Sequence, residues 1–207
     1  MIVLLVHGLA RTPLCFVRLA RRLRAAGHAP RTFGYAAWAE SYERILARLV
    51  RRMEALADAG RPVVLVGHSL GGLLLRHALP RVPRLDVRHL VMLGTPNRPP
   101  RMAARAQRWP LFRAFARSSG ALLASAEAYR ALPPVAVPYT IVAGTRRFPG
   151  MTSIFGDEPN DGLVALSETL VAADDRPVAL PVRHPFLMTD RTVMALVLER
   201  VVRAEGT

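Results

Sequence analysis

The chain has 207 residues, of which 51% are hydrophobic, with a single cysteine and a formal net charge of +14. This length and composition predict one globular domain and exclude a disordered chain, an internal disulfide and a membrane-spanning helix, which needs roughly 18 consecutive apolar residues. All 29 basic residues are arginine, and because no nucleic-acid-binding motif accompanies them, the charge by itself does not indicate a nucleic-acid partner.

The first predicted element is a buried strand over residues 2–6, in the opening sequence MIVLLV. This apolar run has no basic leader and continues directly into His7 and Gly8 without a small-residue cleavage site, unlike a secretory signal. We therefore predict a strand here and expect a cytoplasmic protein.

Short apolar runs then alternate with helical patterns along almost the whole chain. The predicted strands are continuous apolar runs, typical of a parallel sheet covered on both faces, and span residues 2–6, 30–35, 63–66, 87–93, 139–143 and 177–182. One helix begins at Thr12 and Pro13 and ends at Gly27, and the next runs from Glu40 to Gly60. This alternation predicts an α/β fold with a roughly six-stranded, mostly parallel sheet and helices on both faces.

Residues 97–135 interrupt this alternation. They contain seven arginines and one glutamate, a net charge of +6, and apolar residues that include Trp109, Phe112 and Phe115. One interpretation is a set of amphipathic helices that pack on the domain. The other is a cap over an active site, whose apolar residues line a pocket for an acyl chain. We predict a single domain, residues 1–207, with a cap-like insertion at residues 97–135.

The sequence VVLVGHSLGGLLLRHAL, residues 63–79, places a serine where a predicted strand becomes a helix. Gly67, His68, Ser69, Leu70 and Gly71 fit the pattern G-x-S-x-G, in which a sharp turn holds the serine out of the strand and the glycines avoid clashes. The N–H of Leu70 would face an oxyanion formed by attack of Ser69 on a carbonyl. The alternative is a Gly-Ser turn without chemistry.

A second backbone donor is predicted at the end of the first strand, in the sequence His7-Gly8-Leu9. Gly8 lets the backbone turn closely, so that the N–H of Leu9 can face the same site as that of Leu70. Two such donors form an oxyanion hole. We interpret His7 itself as a structural residue.

A serine nucleophile needs an imidazole that takes its proton and returns it to the leaving group. Of the six histidines, His184 alone follows the last predicted strand, so we predict it as the base; a surface histidine in a proline-containing loop is the alternative. A carboxylate must orient it, and the loop after strand 139–143 favours Asp161, with Asp157 and Glu158 as competitors. A purely capping role at Gly162 is the other interpretation of Asp161.

Together these features resemble the α/β-hydrolase fold serine hydrolases of the lipase and esterase group, in a minimal form that starts at the His-Gly oxyanion strand. The matching segments follow the family's order and read LLVHGL (residues 4–9), VLVGHSLGG (64–72), LGTPN (93–97), NDGLV (160–164) and His184. The resemblance implies a catalytic triad of Ser69, Asp161 and His184 and no cofactor. The family's usual first two strands are absent.

The sequence thus predicts a serine carboxylic-ester hydrolase that acts on a small-molecule ester or a lipid through an acyl-enzyme on Ser69. The same triad could serve a thioesterase, an amidase or an acyltransferase. A different class is a non-catalytic binding protein whose basic surface holds an acidic partner or an anionic membrane surface. No metal is expected, because no pair of histidines or carboxylates near the site has the spacing of metal ligands.

Overall fold

The computed structural model describes residues 1–148 and 154–206, apart from the side chains of Phe112 and Phe115. These residues form a six-stranded sheet in the order β2-β1-β3-β4-β5-β6, with parallel pairing throughout. The strands are β1 (Ile2–Val6), β2 (Ala29–Phe33), β3 (Val63–His68), β4 (Val87–Leu93), β5 (Tyr139–Gly144) and β6 (Val178–Leu180). The helices are α1 (Val17–Ala25), α2 (Tyr42–Asp58), α3 (Leu70–Ala78), α4 (Arg101–Ala106), α5 (Pro110–Ala124), α6 (Ala126–Arg130) and α7 (Arg191–Glu205).

Helices cover both faces of the sheet, which explains why its central strands are apolar at every position. All five residues of β1 are buried, and alternate ones face opposite layers. Leu4 packs in a cluster with residues of α2 and α3, whereas Leu5 packs in a second cluster with residues of α1 and α7. The predicted α/β fold is therefore confirmed.

Element boundaries differ by a few residues from the prediction, mainly at the sheet edges. β6 covers only Val178–Leu180, because an edge strand has a neighbour on one side only and loses its pairing early. β3 runs on to His68, two residues beyond the predicted end. The first helix opens with a 3₁₀ turn, Pro13–Phe16, and the Thr12 side chain makes no capping hydrogen bond there.

The strand order creates a crevice between β1 and β3. The chain leaves β1 for β2 on one side and then returns to β3 on the other side of β1. In open parallel sheets such a reversal separates the two crossover connections and opens a crevice at the carboxyl ends of the strands, where ligands bind. The loop after β1 and the turn after β3 meet at this crevice.

The segment of residues 97–135 contains three helices, α4, α5 and α6. The backbone of α5 has a kink at Arg117, whose φ is 46°. Trp109 is largely exposed, whereas Leu123 is buried. The side chains of Phe112 and Phe115, expected to line a pocket, lie outside the described residues. In the part of the chain that the structure describes, no helix has the length and apolar character needed to cross a bilayer.

Four histidines lie in surroundings that favour the neutral imidazole. Burial is the main reason why the pKa of each is below its ordinary value, and the pKa of His68 is lowered furthest; the others are His7, His77 and His89. Two of these rings also make hydrogen bonds to neighbouring residues. The ring of His7 accepts the N–H of Tyr35 at 3.3 Å, and the ring of His89 lies 2.9 Å from the Thr140 hydroxyl.

From the lowered pKa values of these histidines we predict that the protein loses stability in mild acid. In the unfolded chain a histidine takes up a proton as the pH falls through about 6.5, whereas the folded protein resists protonation until a lower pH. The free energy of unfolding should therefore decrease from roughly pH 7 to pH 5.5, a window above the carboxylate titrations. Urea denaturation at a series of pH values measures this slope.

The matched variant is His89→Gln, which keeps a side-chain hydrogen bond to Thr140 but cannot titrate. Its slope should be shallower than that of the wild type by up to one bound proton per molecule. A wild-type stability that is flat or rises on acidification in this window would contradict the neutral assignment.

Candidate active site

Ser69 lies at the turn between β3 and α3 in a backbone conformation that residues other than glycine rarely adopt. Its φ is 51° and its ψ is −121°. The two motif glycines leave no room for side chains: a Cβ on Gly67 would lie 2.5 Å from the Cα of Gly72, and one on Gly71 would lie 2.2 Å from the carbonyl oxygen of Val6. Packing of α3 against β3 and β1 thus holds the predicted strand–turn–helix geometry.

His184 and Asp161 form a buried pair. Nδ1 of His184 lies 2.6 Å from Oδ2 of Asp161, and the backbone N–H of His184 donates to the carbonyl oxygen of Asp161 at 3.0 Å. Both side chains are almost completely buried. Because an ionised carboxylate only accepts hydrogen bonds, Nδ1 carries the proton in the neutral imidazole and Nε2 keeps its lone pair.

The second carboxylate oxygen of Asp161 caps the following turn. Oδ1 accepts the N–H of Leu163 at 2.9 Å and the N–H of Val164 at 2.8 Å. The capping role and the contact with histidine, which we treated as alternatives from the sequence, therefore coexist on different oxygens of one carboxylate. The capping bonds fix the plane in which Oδ2 meets His184.

The structure places neither competing acid, Asp157 or Glu158, nor the nearby Asp190, against the His184 ring. Asp157 is exposed, and Glu158 accepts the N–H of Ser167 at 3.0 Å and pairs with Arg101. Asp190 caps α7 through the N–H groups of Thr192 and Val193. Among the described residues, Asp161 is the acid that contacts His184.

Gly94, which follows β4, makes room for the His184–Asp161 pair. Its φ is 55°, and a Cβ at this position would lie 3.1 Å from Nδ1 of His184 and 3.2 Å from Oδ2 of Asp161. The sequence marked Gly94 only as part of the family resemblance. The structure shows that glycine is favoured here for steric reasons, because a side chain would crowd His184 and Asp161, which lie far away in the sequence.

Three other predicted site residues surround the serine. Leu9 lines the cavity over Ser69, and Leu70 is the first residue of α3, where a backbone N–H has no partner within the helix. His68 contacts the residue predicted as the base: its Nε2–H donates to the carbonyl oxygen of His184 at 3.1 Å. The sequence assigned His68 only a place in the turn, whereas the structure shows that it supports the His184 backbone.

His7 has a structural environment, as expected. Its Nδ1–H donates to the carbonyl oxygen of Gly8 at 2.9 Å, and its ring stacks on Tyr35 with 4.2 Å between centroids. The Tyr35 hydroxyl donates to the carbonyl oxygen of His7 at 2.7 Å. These contacts fix the backbone just before Gly8 and Leu9.

A cavity of about 670 Å³ opens over Ser69 and His184. Most of its walls are apolar, and five of its lining residues come from the segment of residues 97–135: Pro100, Met102, Ala103, Ala106 and Leu123. This segment thus contributes an apolar wall to the cavity. Within the described residues, no cluster of three or more metal-ligating side chains is found here or elsewhere.

An ion-pair network connects this wall to the loop that carries Asp161. The N–H and Nε–H of Arg101, at the start of α4, donate to Oε1 of Glu168 at 2.9 and 2.8 Å. Oε2 of the buried Glu168 accepts the N–H of Ala165 at 2.9 Å, four residues after Asp161. Sequence reasoning missed this network, because Arg101 and Glu168 lie 67 positions apart and neither belongs to a local motif.

Known proteins resemble this chain both in sequence and in structure. The sequence model of the alpha/beta hydrolase family matches residues 3–206. Probable esterase PIR7A from Oryza sativa subsp. indica is 40% identical over 90 residues, which cover 38% of this chain and 33% of the rice protein. Esterase PIR7B from Oryza sativa subsp. japonica is 36% identical over 89 residues, which cover 39% and 33% of the two chains. The match spans about a third of the length of these relatives.

Among solved structures, the mature Bacillus licheniformis lipase BlEst2 superposes with a TM-score of 0.74 at 18% identity, covering 95% of this chain and 91% of the lipase. An extracellular alpha/beta-hydrolase from a Paenibacillus species gives a TM-score of 0.60 at 19% identity, with coverages of 99% and 98%. At these identities the likeness establishes the fold. The resemblance that the sequence suggested is confirmed, and since the family match extends over nearly the whole chain, this protein belongs to the alpha/beta hydrolase family.

Proposed function

We propose that this protein is a serine carboxylic-ester hydrolase, of the lipase or esterase kind, that acts through an acyl-enzyme on Ser69. The proposal rests above all on the buried 2.6 Å contact between Asp161 and His184. His184 lines the same cavity as Ser69, which is held at a φ of 51°. The names of the two rice relatives, a probable esterase and an esterase, support it.

In the first half of the proposed reaction, Nε2 of His184 takes the hydroxyl proton of Ser69 as the oxygen attacks the ester carbonyl. Asp161 holds the imidazole in the Nδ1–H tautomer and stabilises the imidazolium that forms. The N–H groups of Leu9 and Leu70 stabilise the negative oxygen of the tetrahedral intermediate. His184 then gives its proton to the departing alkoxide, which leaves an acyl group on Ser69.

In the second half, water replaces the alcohol. His184 takes a proton from the water as it attacks the acyl-enzyme, and returns this proton to Ser69 when the carboxylic acid leaves. The same donors stabilise the second tetrahedral intermediate.

The apolar walls of the cavity suit an ester with an apolar acyl chain. Met102, Ala106 and Leu123 offer aliphatic surface beside Ser69, and burying each methylene of an acyl chain contributes about 0.8 kcal/mol. The net charge of +6 in residues 97–135 predicts in addition a preference for anionic lipid surfaces at low salt.

The nucleophile is tested by Ser69→Ala together with a fluorophosphonate probe. The variant should fold like the wild type and lose ester hydrolysis by about 10⁴-fold or more, because no hydroxyl remains to form the acyl-enzyme. Mass spectrometry should find the probe on Ser69 of the wild type. Ser41→Ala, which removes a capping serine of α2, is the control and should keep both labelling and turnover. Undiminished turnover in Ser69→Ala would exclude the mechanism.

The acid is tested by Asp161→Asn. The amide oxygen can still accept the N–H groups of Leu163 and Val164, but its NH₂ faces Nδ1–H of His184, so that two donors meet and the imidazole adopts the other tautomer. Turnover should fall by roughly 10⁴-fold while the thermal midpoint changes little. Asp157→Asn, at an exposed position, is the control. If this control is inactive and Asp161→Asn is active, the acid lies four residues upstream.

The acyl pocket is tested by Ala106→Leu, with Ala104→Leu on the exposed side of the same helix as its control. In the wild type, kcat/KM on a series of acyl esters should rise by roughly fourfold per added methylene until the cavity is filled. Ala106→Leu should move the optimum to shorter chains, whereas Ala104→Leu should not. An equal shift in both variants would contradict this assignment of the pocket.

A further inference from the structure

Arg11 occupies a special position beside the candidate active site. It lines the cavity over Ser69 and His184, and it also lines a second cavity of about 390 Å³ on the other side of the loop after β1. Ala10, whose φ is 58°, lies in the same loop after β1 and also lines both cavities. The Arg11 side chain therefore stands between the two cavities.

No carboxylate in the described part of the chain pairs with Arg11. Among the described residues, none of the ion pairs involves Arg11. Its guanidinium contacts the carbonyl oxygen of Pro185, the residue after His184, with 3.4 Å between Nη2 and the oxygen. Within the described residues the hydrogen bond to Pro185 is the one found for this exposed guanidinium, and such a forked group is suited to bind a carboxylate or a phosphate.

The contact with Pro185 places this charge next to the predicted base. The pKa of His68 lies well below its ordinary range, chiefly because of burial, with smaller contributions from His184 and from the positive charge of Arg11. The guanidinium thus acts electrostatically on the site as well as lining it. In the proposed mechanism the group beside His184 is the departing alcohol, because this residue donates the proton to it.

The second cavity meets the first at Ala10 and Arg11 and brings further polar and aromatic groups beside the guanidinium. Besides Arg11, it is lined by Thr12, whose hydroxyl makes no capping bond, and by Trp38, which is 61% exposed. A hydroxyl, an indole N–H and a guanidinium together match a small alcohol with an anionic group and an apolar or aromatic body.

From this arrangement we propose that Arg11 is a specificity-determining residue that selects esters whose alcohol part carries a carboxylate or a phosphate. This inference rests on the proposed serine ester hydrolase function and deepens it. The acyl part lies in the apolar cavity beside Met102 and Leu123, and the anionic alcohol part lies towards Arg11 and Trp38. The large net charge of the chain attracts anions in general, so the experiment must separate Arg11 from that general field.

The experiment compares three butyrate esters with similar phenolic leaving groups: 3-hydroxybenzamide, which is neutral, 3-hydroxybenzoate, and 3-hydroxyphenyl phosphate. The readout is the ratio of kcat/KM for each anionic ester to that for the neutral ester, measured for the wild type, Arg11→Gln and Arg105→Gln. Because the ratio is taken within one variant, a general loss of folded enzyme cancels. Arg105 is an exposed arginine on α4, and its substitution makes the same change in net charge.

The wild type should prefer at least one anionic ester by about tenfold, as a charge-assisted contact of roughly 1.4 kcal/mol would give. Arg11→Gln should bring the ratio close to one, and Arg105→Gln should keep it. The anionic ester with the larger kcat/KM ratio shows whether carboxylate or phosphate is the preferred group.

A wild-type ratio near one, or an anionic preference that survives in Arg11→Gln, would overturn the inference. An equal loss in Arg105→Gln would assign the preference to the general charge of the protein and would also overturn it. These outcomes leave the proposed function intact as long as the neutral ester is hydrolysed in a Ser69-dependent way. If none of the three esters is hydrolysed, the proposed function fails instead.

Discussion

The site depends on the sharp turn between β3 and α3, where strand and helix cross so closely that only glycine fits on both sides of Ser69. A Cβ at Gly71 would lie 2.2 Å from the carbonyl oxygen of Val6, so α3 can pack against β1 only without a side chain there. This packing holds Ser69 at a positive φ that it would otherwise rarely adopt. The surrounding strands are buried on both faces, and their burial stabilises the strained turn. The free N–H groups at the start of α3 and the position of Ser69 at the cavity both follow from this constraint.

The second organising contact joins two loops at the carboxyl ends of β5 and β6. Asp161 uses one oxygen to close its own turn and the other to meet His184, so the shape of the loop and the orientation of the imidazole are set together. The ring of His68 donates a hydrogen bond to the backbone carbonyl oxygen of His184. Gly94 leaves the space that the His184–Asp161 pair fills. The Arg101–Glu168 network then ties the apolar wall of the cavity to the loop of Asp161. The wall and the candidate acid are therefore mechanically connected.

Much of this was accessible from the sequence, because the relevant signals are local. Continuous apolar runs predicted the parallel sheet, and the pattern around Ser69 predicted the turn from its glycines and flanking elements. The choice of His184 rested on its place after the last strand. The acid was harder to choose: Asp157, Glu158 and Asp161 share one loop, and their distances from His184 depend on a backbone path that no local pattern encodes. The predicted ends of β2 and β6 differ from the observed ones, because each edge strand pairs with only one neighbouring strand, which decides where its pairing stops.

The sequence by itself determined which segments are strands and helices, and therefore the fold class, since periodicity and glycine positions are properties of neighbouring residues. It also determined the residue types that the chemistry needs and their order along the chain. Only the tertiary structure decided which partners meet: Asp161 with His184, Glu168 with Arg101, and Arg11 with the loop after His184. Their separations of 23, 67 and 174 positions exceed any local pattern. Such contacts arise only when the strands assemble side by side and bring their carboxyl ends to one edge of the sheet.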